Sequence, residues 1–173
     1  MKTRNKVLIV LLLFGIVLLF SSTKILLTVT GYNLKKQDID VSMATEESVN
    51  YHIGRFSSPE GIMRIISFEG WALNPGYKTN SRRHVSLILK SEDTAYEVPS
   101  TGYSRPDVST HFSNLKLDPN DLGFTGKFSI LALQDGTYEL FIKAWEVGKA
   151  PFLRSTNKIF VKTGESFEEL PNK

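Results

Sequence analysis

Apolar residues fall along this chain in two textures. Val7 to Phe20 run without one polar side chain, and after Ser21-Ser22-Thr23-Lys24 the run resumes at Ile25, Leu26, Leu27 and Val29. A helix needs roughly 20 such residues to cross a bilayer, so 7–29 reads as a membrane span. From Val49 onward the apolar residues come in short alternating stretches between turn residues. Alternation places every second side chain on one face, which is the pattern of half-buried strands.

Val49 to Phe56 is the first such stretch, ended by Ser57-Ser58-Pro59-Glu60-Gly61. Ile62 to Leu73 is the longest, with Ile62, Arg64, Ile66, Phe68, Gly70 and Ala72 on one face, and Asn74-Pro75-Gly76 closes it. Val85 to Lys90 and Thr94 to Val98 flank Ser91-Glu92-Asp93 and read as a hairpin. Pro99 to Pro106 reads as loop, Val108 to Phe112 as a short strand or one helical turn, and Leu115 to Leu122 as a turn-rich crossover. Gly123 to Leu131, Thr137 to Val147 and Phe152 to Val161 complete the series, with turns at Gln134-Asp135-Gly136 and Gly148 to Pro151. No stretch after residue 30 has helical periodicity. The spacing predicts an all-β fold, an antiparallel immunoglobulin-like β-sandwich preceded by one N-terminal transmembrane helix. A closed barrel is the alternative. The expected organisation is a cytoplasmic N-terminus at 1–6, a signal-anchor at 7–29, a polar linker at 30–48 in which Asp38 to Val41 begins an edge strand, the sandwich at 49–162 and a flexible tail at 163–173.

Charge orients this arrangement. Lys2, Arg4 and Lys6 precede the apolar run with no acidic residue among them. Cations flanking a span stay in the cytoplasm, so the C-terminal part is placed outside. A secreted protein with a cleaved signal peptide is the alternative, although no Ala-x-Ala triplet follows the run. The same three cations account for the whole net charge of +3, leaving 18 Lys plus Arg against 18 Asp plus Glu. A neutral exported part argues against nucleic acid and other polyanions, whose affinity scales with the phosphates neutralised. Lys78, Arg82, Arg83 and His84 form the one dense basic run and read as a solvated loop. The chain has no Cys, so it has no disulfide framework and cannot use the lipoprotein route. Export without Cys suits a Gram-positive bacterium.

Candidate chemistry is sparse. Nucleophilic catalysis needs a Ser or Cys beside a base, but His52, His84 and His111 are scattered and no Gly-x-Ser-x-Gly elbow occurs. Asp118 to Asp121 lacks the regular oxygen spacing of a calcium loop. The expectation is a non-enzymatic protein without metal or cofactor; the alternative is an enzyme of cell-wall glycan metabolism whose site assembles in space. Aromatic rings stack on sugars, and they also fill sandwich cores. Arg105 and Asp107 are spaced to pin a loop or to line a groove. Trp71, Tyr103, Arg105, Asp107 and Trp145 are therefore the candidate ligand-binding residues.

One series of residues carries a resemblance. Glu69-Gly70-Trp71-Ala72 is followed by Val85 to Lys90, Tyr96-Glu97-Val98, Arg105-Pro106-Asp107-Val108, Phe112, Gly123-Phe124 and Leu133 to Leu140. From Phe68 to Trp145 this resembles small β-sandwich modules of bacterial cell-envelope proteins, some attached to membrane enzymes of surface-polysaccharide or teichoic-acid assembly. The resemblance implies a lone module on an anchor, without the enzyme's activity. The expected partners are the cell membrane, through the helix, and an envelope glycan or a neighbouring membrane protein.

Overall fold

The computed structural model describes residues 2–29, 32, 34–38, 50–54, 56–73, 83–146 and 151–171. The chain divides into two compact units, Met1–Asn33 and Leu34–Lys173. The first holds one helix, α1, Lys2–Val29. Its side chains are described at 8–17, 22 and 25–28. Among the described residues, no helix is long and apolar enough to cross a membrane.

The second unit consists mainly of two antiparallel sheets. The larger contains β1 (Lys35–Gln37), β4 (Arg83–Lys90), β5 (Ala95–Val98), β8 (Gly136–Glu146), β9 (Phe152–Thr163) and β10 (Ser166–Glu169). Their spatial order is β1-β5-β4-β8-β9-β10. The smaller contains β2 (Asn50–Ile53), β3 (Ile65–Leu73), β6 (Thr101–Tyr103) and β7 (Gly123–Ser129), in the order β2-β3-β7-β6. The predicted all-β class is what the sheets show.

Alternation decides which face each strand buries. Ile66, Phe68 and Ala72 of β3 and Phe124 and Phe128 of β7 meet Leu87 and Leu89 of β4 and Tyr138, Leu140 and Ile142 of β8 in one core. Rings fill much of it: Phe68 lies near Phe56, Phe124 and Phe128, while Phe167 stacks on Phe160 at 4.8 Å. Gly70 lets the Phe124 ring cross β3, since a Cβ there would sit 2.6 Å from its Cζ. On the opposite face of the larger sheet, Ile88, Ala95, Phe141 and Leu153 form a separate buried cluster.

Several expectations are corrected. The predicted linker 30–48 contains β1, which pairs with β5 through Lys35 to Gln37. Backbone pairing, joined by the Gln37 side chain donating to Glu97, holds this edge strand, so it needs no apolar alternation. Of the strand expected at Asp38 to Val41, Asp38 lies just past the end of β1, and 39–41 fall outside the described residues, as do 42–48. The predicted flexible tail 163–173 contains β10, folded back on β9 through Gly164 at φ +56°. Burial of Phe167 holds this hairpin in place. Ile62 to Arg64 belong to a turn instead of β3, with Arg64 at φ +48°. The loop expected from Pro99 to Pro106 includes β6. Of the two readings of Val108 to Phe112, the helical one holds for Val108 to His111, within a six-residue helix, α2 (Pro106–His111); Pro106 opens it, where its missing N–H costs nothing. The turns at Asn74-Pro75-Gly76 and at 148–150, with Tyr77, Lys78 and Arg82, lie outside the described residues.

Candidate functional site

The register of the smaller sheet gathers most of the predicted site. Trp71 of β3 pairs with Gly123 of β7, which pairs with Tyr103 of β6, so the three form one row across the sheet. Paired residues share a face. Gly123 leaves a slot there: a Cβ would lie 2.9 Å from Cε1 of Tyr103 and 2.7 Å from Cγ of Arg105. The Tyr103 ring and the Arg105 stem thus close over the strand.

Arg105 then turns toward Asp107. Its Nε and Nη2 donate to the two carboxylate oxygens of Asp107 at 2.8 and 2.6 Å. Its Nη1 donates to the Tyr103 hydroxyl at 3.4 Å. The bidentate pair raises the Arg105 guanidinium above its already high range and holds the exposed Asp107 carboxyl down at about 2. The pair therefore persists above the usual carboxylate range and is lost only as pH falls toward 2. The Arg105 amide also donates to the Pro119 carbonyl at 2.8 Å, and Ser109 Oγ to the Leu117 carbonyl at 2.9 Å. These bonds tie α2 to the following 3₁₀ turns. Trp71 packs beneath them with Phe112, against Leu73, Val108, Leu117 and Leu122. Trp71 is thus a half-buried ring packed against a small apolar cluster, and Arg105, paired with Asp107, ties the start of α2 to Pro119.

Alanine at Gly123 is expected to displace Tyr103 and Arg105 and to destabilise the unit by ~1–3 kcal/mol, the range of overpacked sites. Urea unfolding of Gly123→Ala checks this; an unchanged midpoint would show that the slot relaxes freely.

Trp145 stands apart from that group, on β8 in the larger sheet. It pairs in register with His84 of β4 and stacks on it at 5.2 Å and 23°. The Lys143 ammonium lies 5.3 Å from the indole centroid. Lys143 also donates to Glu97 at 3.2 Å. Glu97, on β5, accepts from Ser86 Oγ at 2.7 Å and from Gln37 Nε2 at 2.9 Å. Lys35 is its register partner on β1. Four adjacent strands thus contribute polar side chains to one place. They line a cleft of about 370 Å³ that runs to Pro99, Ser100 and Gly102, where the chain passes from the larger sheet to the smaller.

The structure therefore divides the five predicted residues, joining Trp71, Tyr103, Arg105 and Asp107 and leaving Trp145 in the cleft. Sequence reasoning missed Lys35, Ser86, Glu97 and Lys143. A signal existed: Ser86 and Glu97 interrupt the hairpin strands on the face away from the core, and Lys143 precedes Trp145 by the strand period of two. The three histidines lie against rings, His52 on Trp71, His84 on Trp145 and His111 on Phe112. Among the described residues, no group of three or more His, Asp or Glu is placed to hold a metal ion. Comparison with protein-family models, curated proteins and solved structures gives no match.

Proposed function

We propose that the chain is a single-pass membrane protein whose β-rich unit works outside the cytoplasm as a non-enzymatic binding or accessory module of a Gram-positive cell envelope. The observation that carries this reading is α1. Leu8 to Phe14, seven consecutive apolar side chains, are each 56–65% exposed. Seven consecutive positions point around the whole helix, so no single protein face covers them. An apolar phase does. Val7 to Val29 on a continuous helix would extend about 34 Å, against about 30 Å of hydrocarbon. Lys2, Arg4 and Lys6 set the N-terminus inside.

The β-rich unit is read as an immunoglobulin-like sandwich. The order β2-β3-β7-β6 corresponds to strands A-B-E-D of that fold, and β5-β4-β8-β9 to C′-C-F-G, with β1 and β10 added at the edges. Tyr138 near the start of β8 donates its hydroxyl to the Gln134 carbonyl at 2.8 Å, the position and contact of a tyrosine corner. These features also support the likeness to envelope β-sandwich modules over Phe68 to Trp145. The cleft beside Trp145 supports a binding role, because it places charged and aromatic groups together on one sheet.

Asn114 is exposed, and the chain has no natural Cys. Asn114→Cys in the full chain therefore gives one labelling site. In a Gram-positive host, the full-length chain is expected in carbonate-washed membranes, with the thiol labelled by an impermeant maleimide on intact protoplasts. A soluble chain, a shortened chain, or labelling only after lysis would overturn the reading.

A further inference from the structure

The cleft beside Trp145 has a composition that selects among ligands. Lys35 and Lys143 face one carboxylate, Glu97, so it carries one surplus positive charge before His84 is counted. Glu97 is already engaged by Ser86, Gln37 and Lys143. Its side chain is only 15% exposed, so it serves to hold Lys143 in place. An ammonium has three donors, and Lys143 gives one of them to Glu97. The stacked His84 and Trp145 rings form one wall, and rings of this kind accept the C–H face of a sugar. At about 370 Å³ the cleft is near the small end of ligand sites, which run from ~300 to 1,000 Å³, and suits one ring better than a chain.

We infer that this cleft binds an acidic sugar unit, a single pyranose carrying a carboxylate or a phosphate, with Lys143 and Lys35 taking the charge and His84–Trp145 flanking the ring. The inference rests on the reading of the unit as an extracytoplasmic binding module, and it names the ligand class of that module. A carboxylate and a phosphate ester offer the same anionic oxygens, so both sources are tested.

The experiment uses the full chain in detergent micelles, with indole emission and calorimetry against D-glucuronate, D-glucose 6-phosphate, neutral D-glucose and inorganic phosphate. Saturable binding of one or both acidic sugars is expected, near ~1 mM, with glucose and inorganic phosphate at least ~10-fold weaker. The emission change is expected to vanish in Trp145→Phe while Trp71 remains. Lys143→Gln and the exposed Lys35→Gln should each weaken acidic-sugar binding, and circular dichroism confirms their fold. Glu97→Gln gives a further readout: if Glu97 positions Lys143, binding weakens, whereas a purely electrostatic cleft would bind more tightly and the positioning role would fail. Equal binding of glucose, equal binding of inorganic phosphate, or no saturable heat from any probe would overturn the proposal. None of those outcomes would alter the fractionation and labelling results that test membrane anchoring.

Discussion

Alanine at Gly70 or at Gly126 is expected to cost at least ~3 kcal/mol, while alanine at Gly102 leaves stability within ~0.5 kcal/mol. All three glycines lie in strands of the smaller sheet, so propensity alone predicts similar effects. The surroundings differ. A Cβ at Gly70 would lie 2.5 Å from the His52 carbonyl oxygen and 2.6 Å from Cζ of Phe124. One at Gly126 would lie 2.5 Å from the Pro99 carbonyl oxygen and 2.4 Å from Cζ of Phe68. A flexible side-chain end can move aside at little cost, but these neighbours are backbone oxygens and fully packed rings. Relief would need strand separation or displacement of Phe68 or Phe124, both about 1–2% exposed at the centre of the core. At Gly102 the nearest atom is 3.8 Å away, an ordinary contact. Urea midpoints of the three variants test this, and equal shifts at Gly102 and Gly70 would show that strand propensity dominates instead.

The same pair of glycines shows what the sequence made legible. Alternation in Ile66, Phe68, Gly70 and Ala72 identifies the buried face, because a period of two follows from backbone geometry. The ring at Gly70 is Phe124, delivered by β7 from more than fifty positions away, and local pattern gives no view of that register. Edge strands were hidden for a related reason. Lys35-Lys36-Gln37 has no apolar side to bury and pairs through its backbone, so its place in the sheet leaves no mark in hydropathy.

The candidate residues were legible as types but not as groups. Arg105 and Asp107 are two residues apart, so their ion pair was visible locally. Tyr103 and Trp71 join them only through Gly123, whose lack of a side chain makes the row possible. Trp145 shares none of those contacts. Its neighbours Glu97, Ser86 and Lys35 come from three other strands, and strand order, not spacing along the chain, assembles them. Composition also hid the cleft: the chain after Lys6 is formally neutral, yet it carries a local surplus of positive charge where Lys35 and Lys143 meet Glu97.

Tyr138 links turn, core and pH in one side chain, and its substitution should separate them. Its ring is 1% exposed. Its hydroxyl donates to the Gln134 carbonyl across the Gln134-Asp135-Gly136 turn. Asp135 in that turn accepts from Lys162 and from the Gly164 amide, which holds its carboxyl below the ordinary range. The corner thus joins the start of β8 to the β9–β10 hairpin. Tyr138→Ala removes the ring and opens a cavity, for an expected loss of ~3–5 kcal/mol, a large share of a domain stability of ~5–15 kcal/mol. Tyr138→Phe keeps the ring and loses only the hydrogen bond, for an expected ~1 kcal/mol at neutral pH. Burial, the largest cause, with Tyr96 nearby adding to it, pushes the phenol up to about 12. An unfolded tyrosine ionises near 10, so this contribution is complete below that pH and declines as pH rises from 10 toward 12. At pH 11 the wild type should have lost roughly 1–2 kcal/mol through this group alone, a loss the phenylalanine variant cannot suffer. The two stability curves should therefore converge or cross near pH 11. Urea unfolding from pH 8 to 11.5 measures this, and a constant gap between wild type and Tyr138→Phe would show that the phenol ionises alike in the folded and unfolded chain, against its burial in the corner.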